Sequence, residues 1–175
     1  PTGPGLTGIG GDRAGWRPLP AQDIGEGRDK GGKLVVIDPR MTPITRNADL
    51  YLPVRPGTDL PLLMGLLHVV LRDGLEDRDF IRDHTEGFDA VAESVRPYDP
   101  RRVAEITGVP PASIEKAARW FGEADRAMAL HARGIEHQSK GVENVLAVIN
   151  LSLGTGQMGR EGAGCEGSMA PKVAA

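Results

Sequence analysis

Lys33-Leu34-Val35-Val36-Ile37-Asp38-Pro39-Arg40 decides the fold of this chain. Leu34 to Ile37 is an unbroken apolar run, largely β-branched. A strand with one wet face alternates polar and apolar residues, whereas a continuous run suits a strand covered on both faces of a parallel sheet. Pro39 has no N–H to give to a ladder, so the strand is predicted to stop at Asp38. Downstream, Ala48 to Val54 alternates and predicts a second, shorter strand. Arg55-Pro56-Gly57-Thr58-Asp59 is a turn, with Thr58 or Asp59 as the N-cap of a helix. Leu60, Leu63, Leu67, Val70 and Leu71 recur at helical spacing, and Gly74 ends that helix.

The middle of the chain predicts smaller helices: Glu76 to His84, Phe88 to Val95, one opened by Asp99-Pro100 and ended by Gly108, and one started by Pro110-Pro111 with Ile114, Ala117, Ala118 and Phe121 as its apolar stripe. Ala127 to Leu130 reads as another buried strand, His131 to Gly141 as a polar loop, and Val142 to Leu153 as an apolar helix. This order predicts an α/β domain with a Rossmann-like parallel sheet flanked by helices. Ligands of such sheets sit at the carboxyl ends of the strands. Three segments follow strands here: Asp38-Pro39-Arg40, Arg55 to Asp59, and His131 to Gly141.

The flanks look different. Residues 1–32 hold ten Gly and four Pro with no apolar period, and are expected to be irregular and flexible. Gly8-Ile9-Gly10-Gly11-Asp12 superficially resembles a phosphate-cradling loop, but such a loop needs a strand before it and a helix after it, and neither is legible. Arg160 to Ala175 is Gly- and Ala-rich, and is also expected to be irregular. The expected division is residues 1–32 irregular, 33–165 an α/β domain and 166–175 a flexible tail. With no initiator Met, the chain is expected to be an internal piece of a larger multidomain protein.

Composition removes several classes. Among the 175 residues there is a single cysteine, Cys165, so no internal disulfide, four-cysteine zinc site or complete iron–sulfur ligand set can form. The net charge is −3 and the pI about 5.8, without the basic excess of a nucleic-acid binder. No run of 18 apolar residues predicts a membrane span. Aromatic residues are only 4%, so the core is expected to be aliphatic.

At the strand ends, Asp38 is either a turn aspartate before proline or an acceptor for ribose hydroxyls or for the N–H donors of guanine. Arg40 is a surface arginine or a planar fork for phosphate. Asp59 is a helix cap or a guanine-binding carboxylate, with Gly57 leaving room beside it. His131, Arg133, Glu136 and His137 crowd one loop, but their spacing matches no zinc pattern, so a loop touching a cofactor is the better reading. Cys165 has no base at recognisable spacing and is not expected to be a nucleophile.

Taken together, Lys33 to Arg40, Ala48-Asp49, Arg55-Pro-Gly-Thr-Asp59, His131 to Asn144, and Asn150 to Gly164 resemble the molybdopterin oxidoreductases of the dimethyl sulfoxide reductase type. Within that family they look most similar to assimilatory nitrate reductases and to formate dehydrogenase catalytic subunits. The resemblance implies a bis(molybdopterin guanine dinucleotide) cofactor with molybdenum. It implies that Asp38, Pro39, Arg40, Met41 and Thr42, with Gly57, Thr58 and Asp59, hold one guanosine, and that Arg133, Gly134 and His137 approach the pterin. Relatives often carry Gln where this chain has His137. The four-cysteine 4Fe-4S site and the molybdenum ligand of the family belong to an N-terminal part not found here. No catalytic or metal-ligating residue is therefore expected within the chain, and the isolated chain is expected to be inactive. Its expected partners are the rest of a cytoplasmic catalytic subunit and an electron-transfer protein. Nitrate reduction is the first expectation, formate oxidation the second, and an inactive guanine-nucleotide-binding remnant the third.

Overall fold

The computed structural model describes residues 5–9, as backbone, and residues 31–167. Five strands form one sheet: β1 (Gly5–Ile9), β2 (Leu34–Ile37), β3 (Leu50–Leu52), β4 (Ala127–His131) and β5 (Gly164–Gly167). All neighbours are parallel, in the order β3-β2-β1-β4-β5. This is the order of a doubly wound dinucleotide-binding sheet, whose direction of winding reverses beside its first strand. Leu34, Val35, Val36 and Ile37 are all buried, as the unbroken apolar run requires.

Eight helices complete the described residues: α1 (Pro43–Arg46), α2 (Asp59–Arg72), α3 (Arg78–His84), α4 (Phe88–Val95), α5 (Pro100–Thr107), α6 (Pro111–Gly122), α7 (Arg133–Glu136) and α8 (Gly141–Gly154). Their ends follow local chemistry. Asp77 accepts from the Phe80 N–H at the start of α3, Asp99 accepts from the Arg101 N–H at the start of α5, and Gly108 ends α5 at φ 78°.

The main core lies between one sheet face and a layer made of α2, α6 and α8. Val35, Ile37 and Ala129 meet Leu63, Leu66, Ala117, Phe121, Val148 and Leu151, leaving a residual void of only about 10 Å³. Helix α2 is buried on more sides than its predicted stripe, because α5 packs on it as well. Leu62, Leu66 and Val69 are therefore interior too. Gly65 permits that approach, since a Cβ there would lie 2.8 Å from a Val103 methyl.

Two expectations from composition are corrected. Gly5–Ile9 is not irregular but the central strand, paired with β2 and β4. Gly164–Gly167, in the stretch expected to be irregular, is an edge strand on β4, so the flexible tail expected from residue 166 does not begin there. Both are Gly-rich and lack an apolar signature. Their pairing is decided by neighbouring backbone, which propensity does not report. Gly8 and Ile9 of the Gly8 to Asp12 sequence belong to β1 itself. Gly10, Gly11 and Asp12, like the rest of residues 10–30 and residues 168–175, lie outside the described residues.

Candidate functional site

Parallel strands deliver Asp38 after β2, the Arg55–Asp59 turn after β3 and α7 after β4 to one edge of the sheet. Each segment is fixed separately.

Asp38 is buried. Its Oδ1 accepts the Arg40 N–H at 2.7 Å, the contact of a turn aspartate. Its N–H is directed to Leu52 O, and its own carbonyl accepts the Tyr51 hydroxyl at 2.9 Å. Burial, then the charge of Asp38, pushes the Tyr51 phenol above its ordinary value. Pro39, Arg40 and Met41 are exposed beyond this anchor. Thr42 occupies the N-cap position of α1, yet its Oγ1 is buried without a partner and makes no cap bond.

In the second segment Gly57 has φ 80°, a left-handed conformation that L side chains rarely adopt, and a Cβ there would meet open space. Its glycine is thus explained by the turn itself. Thr58 is the N-cap residue of α2, but its hydroxyl donates to Arg55 O at 2.7 Å instead of capping. Asp59 is buried inside the first turn of α2, and its carboxylate accepts from the Gln138 side-chain amide at 2.9 Å. Arg55 is structural: its guanidinium donates to Glu105 O and Ile106 O at the end of α5.

The third segment, expected to be a loop, contains α7. Arg133, Gly134 and His137 are exposed. Asn144, buried in α8, donates to Ile135 O at 2.9 Å. Gln138 Nε2 also donates to Gly134 O at 2.8 Å, so one amide joins Asp59 to α7. His131 Nδ1 lies 3.1 Å from Glu136 Oε1, a contact that is ionic only when the imidazole carries a proton. A Cβ on Gly167 would lie 2.5 Å from the His131 ring, so β5 needs glycine there. Beyond it, a groove of about 540 Å³ runs between β5 and α8, lined by Cys165, Val142, Val145, Leu146 and Ile149 among others.

Burial pushes the His131 imidazole below its ordinary value, against the opposing pull of Glu136. The unfolded chain therefore binds the proton more readily, and stability falls as pH drops below the unfolded histidine value of about 6.5. We expect the melting temperature of wild type to fall more between pH 7.5 and 5.5 than that of His131→Gln. Equal losses in a thermal melt would show that His131 does not contribute. Cys165 is half-buried, its Sγ 3.8 Å from Met158 Sδ, and burial pushes its thiol up, contrary to what a nucleophile needs.

Sequence reasoning selected the three strand-end segments but missed Tyr51, Asn144 and Gln138. Tyr51 and Asn144 carry no motif. Gln138 sits within the polar loop, and only its position opposite Asp59 reveals it.

The profile of the family described as molybdopterin oxidoreductase matches residues 24–175. The chain belongs to this family. Molybdopterin oxidoreductases similar to it include the F420-dependent formate dehydrogenase subunit alpha of Methanocaldococcus jannaschii, 38% identical over 147 residues that cover 84% of this chain and 22% of that protein. The assimilatory nitrate reductase catalytic subunit of Bacillus subtilis is 37% identical over 133 residues, covering 76% and 19%. Among solved structures, acetylene hydratase from Pelobacter acetylenicus superposes with a TM-score of 0.82 at 30% identity, covering 90% of this chain and 22% of that one. The chain thus spans about a fifth of the length of these relatives.

Family membership implies a molybdenum–molybdopterin cofactor. The described residues fit the hydrogen-bonding and anionic parts of such a cofactor better than its metal. The buried carboxylates of Asp38 and Asp59 suit N–H or hydroxyl donors, the buried Thr42 hydroxyl lacks a partner, and the Arg40 and Arg133 guanidinium groups suit phosphate or other anions. No group of three or more His, Cys, Asp or Glu able to hold a metal ion occurs among the described residues. No helix among them is long and apolar enough to cross a membrane.

Proposed function

We propose that this chain is the guanosine-binding α/β part of a molybdenum bis(molybdopterin guanine dinucleotide) oxidoreductase. The carrying observation is the delivery of two buried carboxylates, Asp38 and Asp59, to the same sheet edge by successive parallel strands. In this reading Asp59 accepts from the ring N–H and amino group of guanine. Asp38 and the Thr42 hydroxyl receive ribose or base donors, and Arg40 balances phosphate charge. Arg133, Gly134 and His137, at the exposed end of α7, face the pterin. Pro39 and Met41 shape the wall between them, and Gly57 with Thr58 forms the turn that presents Asp59.

Molybdenum supplies the two-electron chemistry when the cofactor is bound. This chain's own residues bind and orient. Nitrate reduction is the first reading of the complete protein's activity and formate oxidation the second, since relatives of both names match. The remaining polypeptide of a cytoplasmic catalytic subunit, with its 4Fe-4S cluster, and an electron-transfer protein are the partners in this proposal.

Thermal unfolding of the chain with GMP or GDP tests the guanosine site. A ligand at a hundredfold excess over Kd stabilises the native state by about 2.7 kcal/mol. For a chain of this size that raises Tm by roughly 5–10 °C. Asp59→Ala is expected to abolish the shift while leaving the unliganded melt cooperative. An unchanged shift in that variant would remove Asp59 from the site.

A further inference from the structure

We infer that Gln138 is the resident occupant of the Asp59 carboxylate, competing with guanine and thereby setting the affinity of that site. The inference rests on the guanosine reading of Asp59 given above.

Asp59 is buried, and a buried carboxylate without a donor is costly. Its own helix does not use it as a cap. The donor it receives is Gln138 Nε2, which also reaches Gly134 O. Both partners are acceptors, so the amide orientation is fixed: the nitrogen, not the oxygen, faces Asp59.

Gln138 is not needed to hold α7 in place. That helix is already pinned to α8 by Asn144, which donates to Ile135 O, and its last turn is closed by its own His137 N–H on Arg133 O. The backbone carbonyl of Gln138 separately receives the Gly141 N–H. The side chain is only partly buried and can swing into solvent.

The chemistry of the two occupants is matched. Glutamine offers one N–H to Asp59 Oδ2. Guanine offers two parallel donors, its ring N–H and its amino group, and engages both carboxylate oxygens of a carboxylate. Guanine therefore gains more than it displaces. Adenine presents one amino donor beside a ring acceptor that would face the carboxylate, so it does not repay the loss of the glutamine contact. Displacing the glutamine costs the same whichever base enters, so the competition weakens both by one factor, and the choice of guanine over adenine comes from guanine's second donor.

The test is a calorimetric titration of the 175-residue chain with GMP and with AMP. It uses wild type, Gln138→Ala and Gln138→Leu, with thermal melts to confirm folding. Gln138→Leu keeps the bulk while removing the donor, so it serves if Gln138→Ala does not fold. One hydrogen bond's worth of competition predicts about three- to tenfold tighter GMP binding in both variants. AMP displaces the same contact, so its binding should tighten by the same factor and the preference for GMP should stay unchanged. In wild type, the Gln138 side-chain amide resonances should shift when GMP is added.

GMP binding that is equal or weaker in the variants, with wild type binding, would make Gln138 a strut and overturn the inference alone. An unmoved Gln138 amide in a GMP-saturated wild type would do the same. Absence of GMP binding in wild type and variants alike would remove the guanosine reading of Asp59, and the inference with it.

Discussion

A chain that starts at Gly10, and so lacks β1, is expected to lose its cooperative thermal transition. β1 stands between β2 and β4, which share no ladder of their own. Its removal leaves two separate pairs, β2 with β3 and β4 with β5. The inner edges of β2 and β4 would then expose unpaired N–H and C=O groups, together with Leu34, Val36, Ala129 and Leu130, all buried in the intact chain. Exposed edges of this kind also favour aggregation. Circular dichroism on heating should show a broad, early loss of signal, and light scattering should rise. A truncated chain that melts sharply within a few degrees of the intact one would mean that β1 contributes little to the sheet.

Gly141→Ala is the second change expected to be severe. A Cβ at Gly141 would overlap the Glu136 carbonyl, and that obstacle is backbone rather than a movable side chain. α7 and the start of α8 must then part. Overpacking of this sort costs about 1–3 kcal/mol, and the rigid backbone places it toward the upper end. A Tm loss of roughly 5–10 °C follows for a chain of this length. Moving α7 also moves Gln138 away from Asp59 and Glu136 away from His131, so nucleotide binding should change along with stability. Gly159→Ala is the control. Its φ is 78° but the added methyl meets open space, so it bears only the strain of a left-handed residue, about 1 kcal/mol. Equal melting temperatures for the two variants would show that the contact with Glu136 relaxes freely.

The legibility of this fold followed the distribution of apolar side chains. β2 was readable because a doubly covered strand must be apolar throughout, and Leu34 to Ile37 are buried without exception. The helices were readable through apolar spacing and through caps such as Asp99 and Gly108. β1 and β5 were not, because Gly5-Leu6-Thr7-Gly8-Ile9 and Gly164-Cys165-Glu166-Gly167 owe their state to neighbouring backbone. The same limit applied at the site. Asp38 and Asp59 stood out as carboxylates after strands, and Arg133 and Gly134 lay in a loop worth attention. The bridge from Asp59 through Gln138 to Gly134 joins residues far apart in sequence, and no local spacing encodes it. Thr58 illustrates the converse. Its residue type predicts a cap, yet its hydroxyl turns back to Arg55.

The sheet's winding also governs how the chain can acquire its shape. Leu6 lies opposite Met128 in the finished ladder, far along the chain from it. Pairings between such distant segments form slowly, because the entropy of closing the intervening loop is lost before any contact rewards it. The helices α2, α4, α5 and α6 pack on one another without help from β1, and can condense before it finds β4. On a ribosome, β1 emerges before β2 and β4 and must wait, unpaired on one side, until β4 has been synthesised. Its two glycines then have a use beyond the final fold: a glycine-rich strand offers little apolar surface to the wrong partner during that wait.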